Sequence, residues 1–425
     1  MQCNAVKPPT NHGCFNSEYY DAFVSIQRGL FNTRDRHEHT RKRKTVSHTF
    51  SARSVGQFEQ YIHHNLETLV QQWNSKSKQA NGGFYRMDIL NWFNYVAFDI
   101  IGDLAFGAPF GMLENGRDLA EVRKTPDSEP TYAPAIEVLN RRGEVSNTIG
   151  CYPAMKPYAK YLPDPFFSKG VQAVQDLAGI AVARVNMRLE AAERGEVHRT
   201  DLLARLMEGK DENGNSLGRE ELTAEALTQL IAGSDTTSNT SCALLFHCLT
   251  KPGVVRKLQA ELDAAIPAGG VPKYEQVRDL PYLEKVISET LRIHSTSSTG
   301  LPRVVPPGPG VTIAGHYFPQ GTVLSVPAYT IHHSKAIWGA DADDFRPERW
   351  EQADERQKSA FIPFSYGPRA CVGRNVAEME LALIAGTVFR NYEFELYQDV
   401  LETSEGFLRK PLGLEVGLRR RGEGA

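Results

Sequence analysis

FSYGPRACVG, residues 364–373, places one cysteine, Cys371, behind an aromatic residue, a turn built on Gly367 and Pro368, and an arginine. An apolar, helix-forming run from Val376 to Phe389 follows directly. A thiolate in such a loop can ligate heme iron and push electron density toward O–O cleavage. A helix N-terminus and a nearby cation lower a cysteine's pKa, which predicts that Cys371 favours the thiolate. Taken alone, Cys371 reads more simply as a buried cysteine ahead of an amphipathic helix, because free cysteine is among the most buried residue types. The residues around it, and the rest of the chain, change that balance.

The chain has 425 residues, of which 41% are hydrophobic and 23% charged, ordinary values for a globular body with a sizeable core. Its 48 basic and 51 acidic side chains leave a formal charge of −3, which argues against a nucleic-acid binder. Cysteines at 3, 14, 151, 242, 248 and 371 are scattered, with neither a CxxC pair nor zinc spacing. Cys242 and Cys248 fall in an apolar helical stretch and read as core. No run of eighteen apolar residues occurs, and the start MQCNAVKPPTNHGC reads as neither signal peptide nor anchor. A soluble product is therefore expected.

Residues 88–107 are apolar on nearly every face and predict a buried helix. Residues 112–160 mix Pro, Gly and charge and predict loops around short helices. Helical patterns cover Val171–Arg194 and Arg199–Glu208. Thr223 is expected to N-cap a long helix reaching Leu249. Pro252 suits the first turn of the next helix, and Leu280–Ile293 forms another. Val304–Val326 alternates short β-prone runs with Pro and Gly, as strands and hairpins do. Helix signals dominate, and neither a repeat nor an interdomain linker appears. The expectation is one domain over 1–425, mainly α with a minor β region.

Four constellations carry chemistry. AGSDTT (232–237) interrupts the long apolar helix with Gly233, Ser234, Asp235, Thr236 and Thr237. Gly there costs about 1 kcal/mol relative to Ala, and the short polar residues compete for backbone hydrogen bonds. Such a cluster suits a site where Gly233 admits a flat ligand while Asp235 and Thr236 hold water and relay protons; a local kink or polar patch is the plainer account. In ETLR, Glu289 and Arg292 share a helix face at i,i+3, and Arg349 of FRPERW (345–350) could complete a buried network with them. RDRHEHTRKRK (34–44) reads as a solvated helix face, or as a positive patch with one or two groups reaching a bound anion. Arg303 and Arg369 stand alone in apolar stretches, and a buried arginine requires an anion, which two propionates of a cofactor would supply. No GxxxxGK loop, strand-linked GxGxxG or HExxH offers another anion or metal site.

Together these motifs resemble the cytochrome P450 family of heme-thiolate monooxygenases: the heme-binding loop at 364–373, the oxygen-activating helix at 232–237, the Glu–Arg signature at 289–292 and the arginine meander at 345–350, in the family's order. The resemblance runs from about residue 15 onward. It implies the cytochrome P450 fold and heme b, with Cys371 as axial iron ligand and Phe364 packed near its sulfur. It also implies Asp235 and Thr236 as the proton-delivery pair, and Arg303, Arg369 and Arg43 on the propionates. His39 stands where the family often has tryptophan, four residues before Arg43. The basic face of Arg41, Lys42 and Lys44 would meet an NADPH–cytochrome P450 reductase. Family members are anchored in the endoplasmic reticulum membrane. Their anchor, first helices and first strands have no counterpart in this sequence, so it is expected to be N-terminally incomplete.

IHSTSSTGLPRVVP (293–306), LNWFNYVAFDIIGDLAFGAPFG (90–111) and RDRHEHTRKRK further resemble fungal members that para-hydroxylate benzoate. In the family the stretch after the Glu–Arg helix lines the substrate side of the heme. The resemblance thus implies that hydroxyls among Ser295, Thr296, Ser298 and Thr299 receive a small aromatic carboxylate, with Leu230 against the ring; a simple turn-capping role for these hydroxyls stays open. An oxygenase of another small aromatic, or a heme-binding remnant without turnover, are the other readings.

Overall fold

The computed structural model describes residues 14–422 except 197, 198, 212 and 268. Among them, nine α-helices of ten residues or more follow in chain order: α1 (Arg36–Ser47), α2 (Glu59–Gln79), α3 (Ile89–Phe106), α4 (Ala135–Cys151), α5 (Pro165–Glu193), α6 (Arg219–Leu249), α7 (Pro252–Ala265), α8 (Pro281–His294) and α9 (Arg374–Asn391). The mainly α expectation matches this order, and two boundaries differ instructively. Thr223 does not cap α6: the helix starts four residues earlier behind Gly218, and the Thr223 hydroxyl donates to the Arg219 carbonyl inside the first turn. Helix α4 spans 17 residues where loops and short helices were expected. Its apolar residues recur as Ile136, Leu139, Val145 and Ile149, a helical stripe that Arg142 and Gly143 disguise.

Helix α3 is capped by Asp88, whose carboxylate accepts from the Leu90 N–H, and its apolar circumference is buried almost throughout. It lies along α6, which also packs on α5, α8 and α9. Each fully buried Leu or Phe at these contacts contributes roughly 1.5–3 kcal/mol. Gly233 belongs to this packing. A Cβ there would come 2.8 Å from Ile101 of α3, so the missing side chain serves helix–helix approach rather than the ligand contact expected from the motif.

Two small antiparallel sheets frame the helices. In one, Glu415–Arg420 lies between Tyr85–Asp88 and Tyr392–Leu396. In the other, Arg303–Val304 lies between Phe15–Asn16 and Val323–Leu324, with Asn16 and Leu324 opposite Arg303. A hairpin, Thr403–Glu405 with Arg409–Pro411, returns the C-terminal part of the chain to α6. No helix among the described residues is long and apolar enough to cross a membrane.

Candidate active site

The loop 364–373 turns sharply ahead of α9. Ser365 and Gly367 take left-handed backbone conformations, and the Cys371 N–H donates to the Phe364 carbonyl at 2.9 Å. The ring of Phe364 lies under the Arg374 guanidinium, 5.5 Å away. Cys371 has solvent-accessible surface, yet protein packs around its thiol. Its sulfur accepts the Gly373 N–H and sits near Arg43 and Arg374, all of which favour the thiolate. Burial outweighs them and pushes the thiol above its ordinary value, contrary to the expectation from the helix terminus alone. A metal cation at the sulfur would favour the thiolate further.

Beside this loop, four cationic or titratable groups converge. Arg43 of α1 donates to the Ala370 carbonyl at 2.5 Å. Arg369 donates to the Thr33 carbonyl at 2.7 Å. Arg303 bonds the Tyr20 hydroxyl and lies over its ring. Among the described residues none of these three makes an ion pair with a carboxylate; their hydrogen bonds end on carbonyls and a phenol. His39 is buried between them, and desolvation together with the charges of Arg369, Arg43 and Arg303 lowers its pKa to about 3. His39, Arg303 and Arg369 line one cavity of about 360 Å³, with Thr299, Ser297 and Ala328 on its other walls.

Above the loop, Ala232 is exposed in the middle of the otherwise buried α6, and Thr236, one turn on, is partly exposed. The Thr236 hydroxyl donates to the Ala232 carbonyl at 2.7 Å. Asp235 points away into protein, where Lys410 of the C-terminal hairpin stands 3.4 Å from both carboxylate oxygens and also bonds Asn140 of α4. Burial still raises the Asp235 pKa. The hydroxyl-rich stretch divides. Ser295 bonds His332 and the Arg292 carbonyl, Thr296 bonds Thr240 at 3.0 Å, and Ser298 donates to Glu405 at 3.0 Å. Thr299, with the unpredicted Ser297, faces the cavity. Leu230 is fully buried in the helix core.

The Glu–Arg network closes as expected. Glu289 accepts two bonds from Arg292 (2.8 and 3.0 Å), one from Arg349 (2.8 Å), one from the Trp350 indole and one from the Arg346 N–H. Arg292 spends its other donors on the carbonyls of His332, Ala342 and Asp344. The basic face of α1 is reduced: Arg41 and Lys42 turn inward onto Glu221, and Lys42 also onto Glu225, leaving Lys44 from the expected patch.

Residues 10–418 match the cytochrome P450 family. The chain belongs to the cytochrome P450 family. It is 67% identical to a benzoate 4-monooxygenase of Aspergillus niger over 97% of this chain and 82% of that protein. It is 30% identical to a cytochrome P450 monooxygenase of Aspergillus terreus (89% of this chain, 76% of that protein). A cytochrome P450 monooxygenase of Aspergillus flavus is 27% identical (98% and 82%).

Heme b with thiolate ligation is what cytochrome P450 membership implies, and the residues fit it. A solvent-accessible sulfur, an exposed Ala232 inside a core helix and three arginines that pair with no carboxylate among the described residues suit an iron porphyrin with two propionates. Two residues of this P450 escaped the sequence reading. Lys410 lies far along the chain from Asp235 and carries no motif. Glu380 of α9 is buried, accepts from the Thr237 hydroxyl at 2.9 Å, and is pushed up to about 8 by desolvation. A single Glu inside the apolar Val376–Phe389 run was its available signal.

Proposed function

We propose that this cytochrome P450 para-hydroxylates benzoate to 4-hydroxybenzoate, using dioxygen and electrons from NADPH delivered by a cytochrome P450 reductase. The 67% identity to a benzoate 4-monooxygenase across 97% of the chain carries the reading. Bound heme supplies dioxygen activation and oxygen transfer, chemistry that no side chain here possesses.

In this reading Cys371 would hold the heme iron through its sulfur, which the Gly373 N–H steadies, while the Phe364 carbonyl accepts the Cys371 N–H and fixes the loop. Arg43, Arg303 and Arg369 would bind the propionates, beside His39, whose pKa burial and these three charges lower to about 3. Asp235 holds a proton more readily than an exposed carboxylate, because it is buried. Thr236, one residue on and partly exposed, donates its hydroxyl proton to the Ala232 carbonyl and keeps its oxygen lone pairs free to accept. Lys410 of the hairpin stands 3.4 Å from the Asp235 carboxylate and offsets part of the effect of burial on it. Glu289, Arg292 and Arg349 hold the frame. Ser295, Thr296 and Ser298 shape the substrate loop through their protein bonds, Thr299 offers its hydroxyl to the cavity, and Leu230 backs the helix wall. Incubation of the heme-loaded protein with reductase, NADPH, ¹⁸O₂ and benzoate should give 4-hydroxybenzoate carrying one labelled oxygen. An ortho or meta product, or consumption of another aromatic with benzoate untouched, would overturn the assignment.

A further inference from the structure

Five Arg and Lys side chains of the described residues are buried, and four of them have carboxylates. Lys42 meets Glu221 and Glu225, Arg188 meets Asp201, and Arg292 and Arg349 meet Glu289. The fifth is Arg142 of α4, 4% exposed. It donates to the Phe23 carbonyl at 2.9 Å, lies 5.3 Å over the Phe23 ring, and leaves its Nε without a partner. Desolvation pushes it down to about 10. A buried guanidinium held by one carbonyl and one ring is incomplete; its planar fork matches a carboxylate.

The surroundings specify what such a carboxylate would be attached to. Phe23, Phe31 and Phe407 form a ring triad with centroids 4.9–5.7 Å apart, each from a different segment. Tyr19 and Tyr20 extend it, and Tyr20 reaches Arg303 at the cavity wall. Phe407 is the tip of the hairpin whose Lys410 holds Asp235. An aromatic lane therefore joins Arg142 to both sides of the candidate active site. Its outer rim carries Arg28, Arg34 and Lys156 against Asp21 and Glu18: Arg28 and Arg34 pair with Asp21 at 2.7 and 2.8 Å, Arg34 lies 3.8 Å from Glu18, and Lys156 donates to the Asp21 carbonyl. Counting Arg142, the region has excess positive charge, which attracts anions.

We propose that Arg142 is the anion receptor for an aromatic carboxylate, whose ring parts and replaces contacts of the Phe23–Phe31–Phe407 triad. The proposal rests on the benzoate reading and deepens it by naming the residue that distinguishes an aromatic acid from its neutral analogues. The test is equilibrium dialysis of the full-length, heme-loaded protein with benzoate and with benzamide, which keeps the shape and loses the charge. Wild type should bind benzoate at least tenfold more tightly than benzamide. Arg142→Gln should weaken benzoate about 100-fold and benzamide no more than about threefold, and Arg142→Lys should recover part of the benzoate affinity, since it restores charge without the fork. Equal loss for both ligands would reduce Arg142 to a support for the Phe23 carbonyl and overturn the proposal, as would unchanged benzoate binding in either variant. Should Arg142→Gln fail to fold, the wild-type ratio and Arg142→Lys still decide: equal wild-type affinities overturn it. A wild type that binds neither ligand overturns the benzoate reading itself, and the receptor with it.

Discussion

Two arginine-rich regions of this molecule use the same chemistry to opposite ends. Around Glu289, the guanidinium groups of Arg292 and Arg349 are satisfied by a carboxylate and a ring of carbonyls, all out of water. Around His39, the guanidinium groups of Arg43, Arg303 and Arg369 end on carbonyls and a phenol, and Arg303 and Arg369 line a cavity of about 360 Å³. The first region is complete as folded. The second is balanced only when an anion arrives. The contrast separates charge that is satisfied within the frame from charge that has no carboxylate partner among the described residues, and it does so without reference to motif.

The comparison breaks most visibly at the complete end. Glu289→Ala leaves two buried guanidinium groups without their anion and should destabilise the protein by about 3–5 kcal/mol, read as a fall in the urea midpoint and in soluble yield. Such a loss should appear with and without heme. If Glu289→Ala unfolds like wild type, the network is ornamental.

A smaller effect belongs to acid. His39 near pKa 3, with His294 and His332 at about 3 and His247 at about 4, all lie below the unfolded value of about 6.5. As pH falls through 6.5 the unfolded chain takes up protons that the folded one refuses. Stability is therefore full above about pH 6.5 and declines toward pH 3, by at most ~1.4 kcal/mol per pH unit for each histidine. His39→Gln should remove one proton's worth of that slope in unfolding curves measured between pH 6.5 and 4. An unchanged slope would mean that His39 is already charged among the arginines.

The smallest effect is also the sharpest. Arg303→Leu removes one of three like charges and should leave the heme-free protein as stable as wild type, or slightly more so, by up to about 1 kcal/mol. The same variant should lose heme to apomyoglobin several-fold faster. A heme-free form destabilised as severely as Glu289→Ala would make Arg303 part of the frame and erase the distinction between the regions.

What the sequence made legible follows from how local each feature is. The turn at Gly367, Cys371 and the helix behind them occupy neighbouring positions, so their chemistry is visible in ten letters. Glu289 and Arg292 share one helical turn, and Arg349 sits in its own short motif. Asp235 was legible as an anomaly in α6, yet its partner Lys410 was not, because the hairpin that delivers it is specified by tertiary packing. For Cys371, the helix terminus and nearby cations are visible in sequence, whereas the desolvation that works against them is a property of the whole fold. Gly233 looked like room for a ligand, and α3 fills that room with Ile101. The inward turn of Arg41 and Lys42 required knowing that the N-terminal turn of α6, with Glu221 and Glu225, lies across from α1.

The strand Arg303–Val304 carries one more consequence. Its partner Phe15–Asn16 lies far away in the sequence, and Arg303 is held in register directly across from Asn16. Closing that loop spans most of the chain, and such long-range pairings are slow to form because their entropy is lost before their contacts are gained. Arg303 therefore reaches its place late on the folding path. During synthesis, residues 364–373 and Cys371 emerge after both strands, so the 364–373 loop and Arg303 are both in place only once these distant segments have paired.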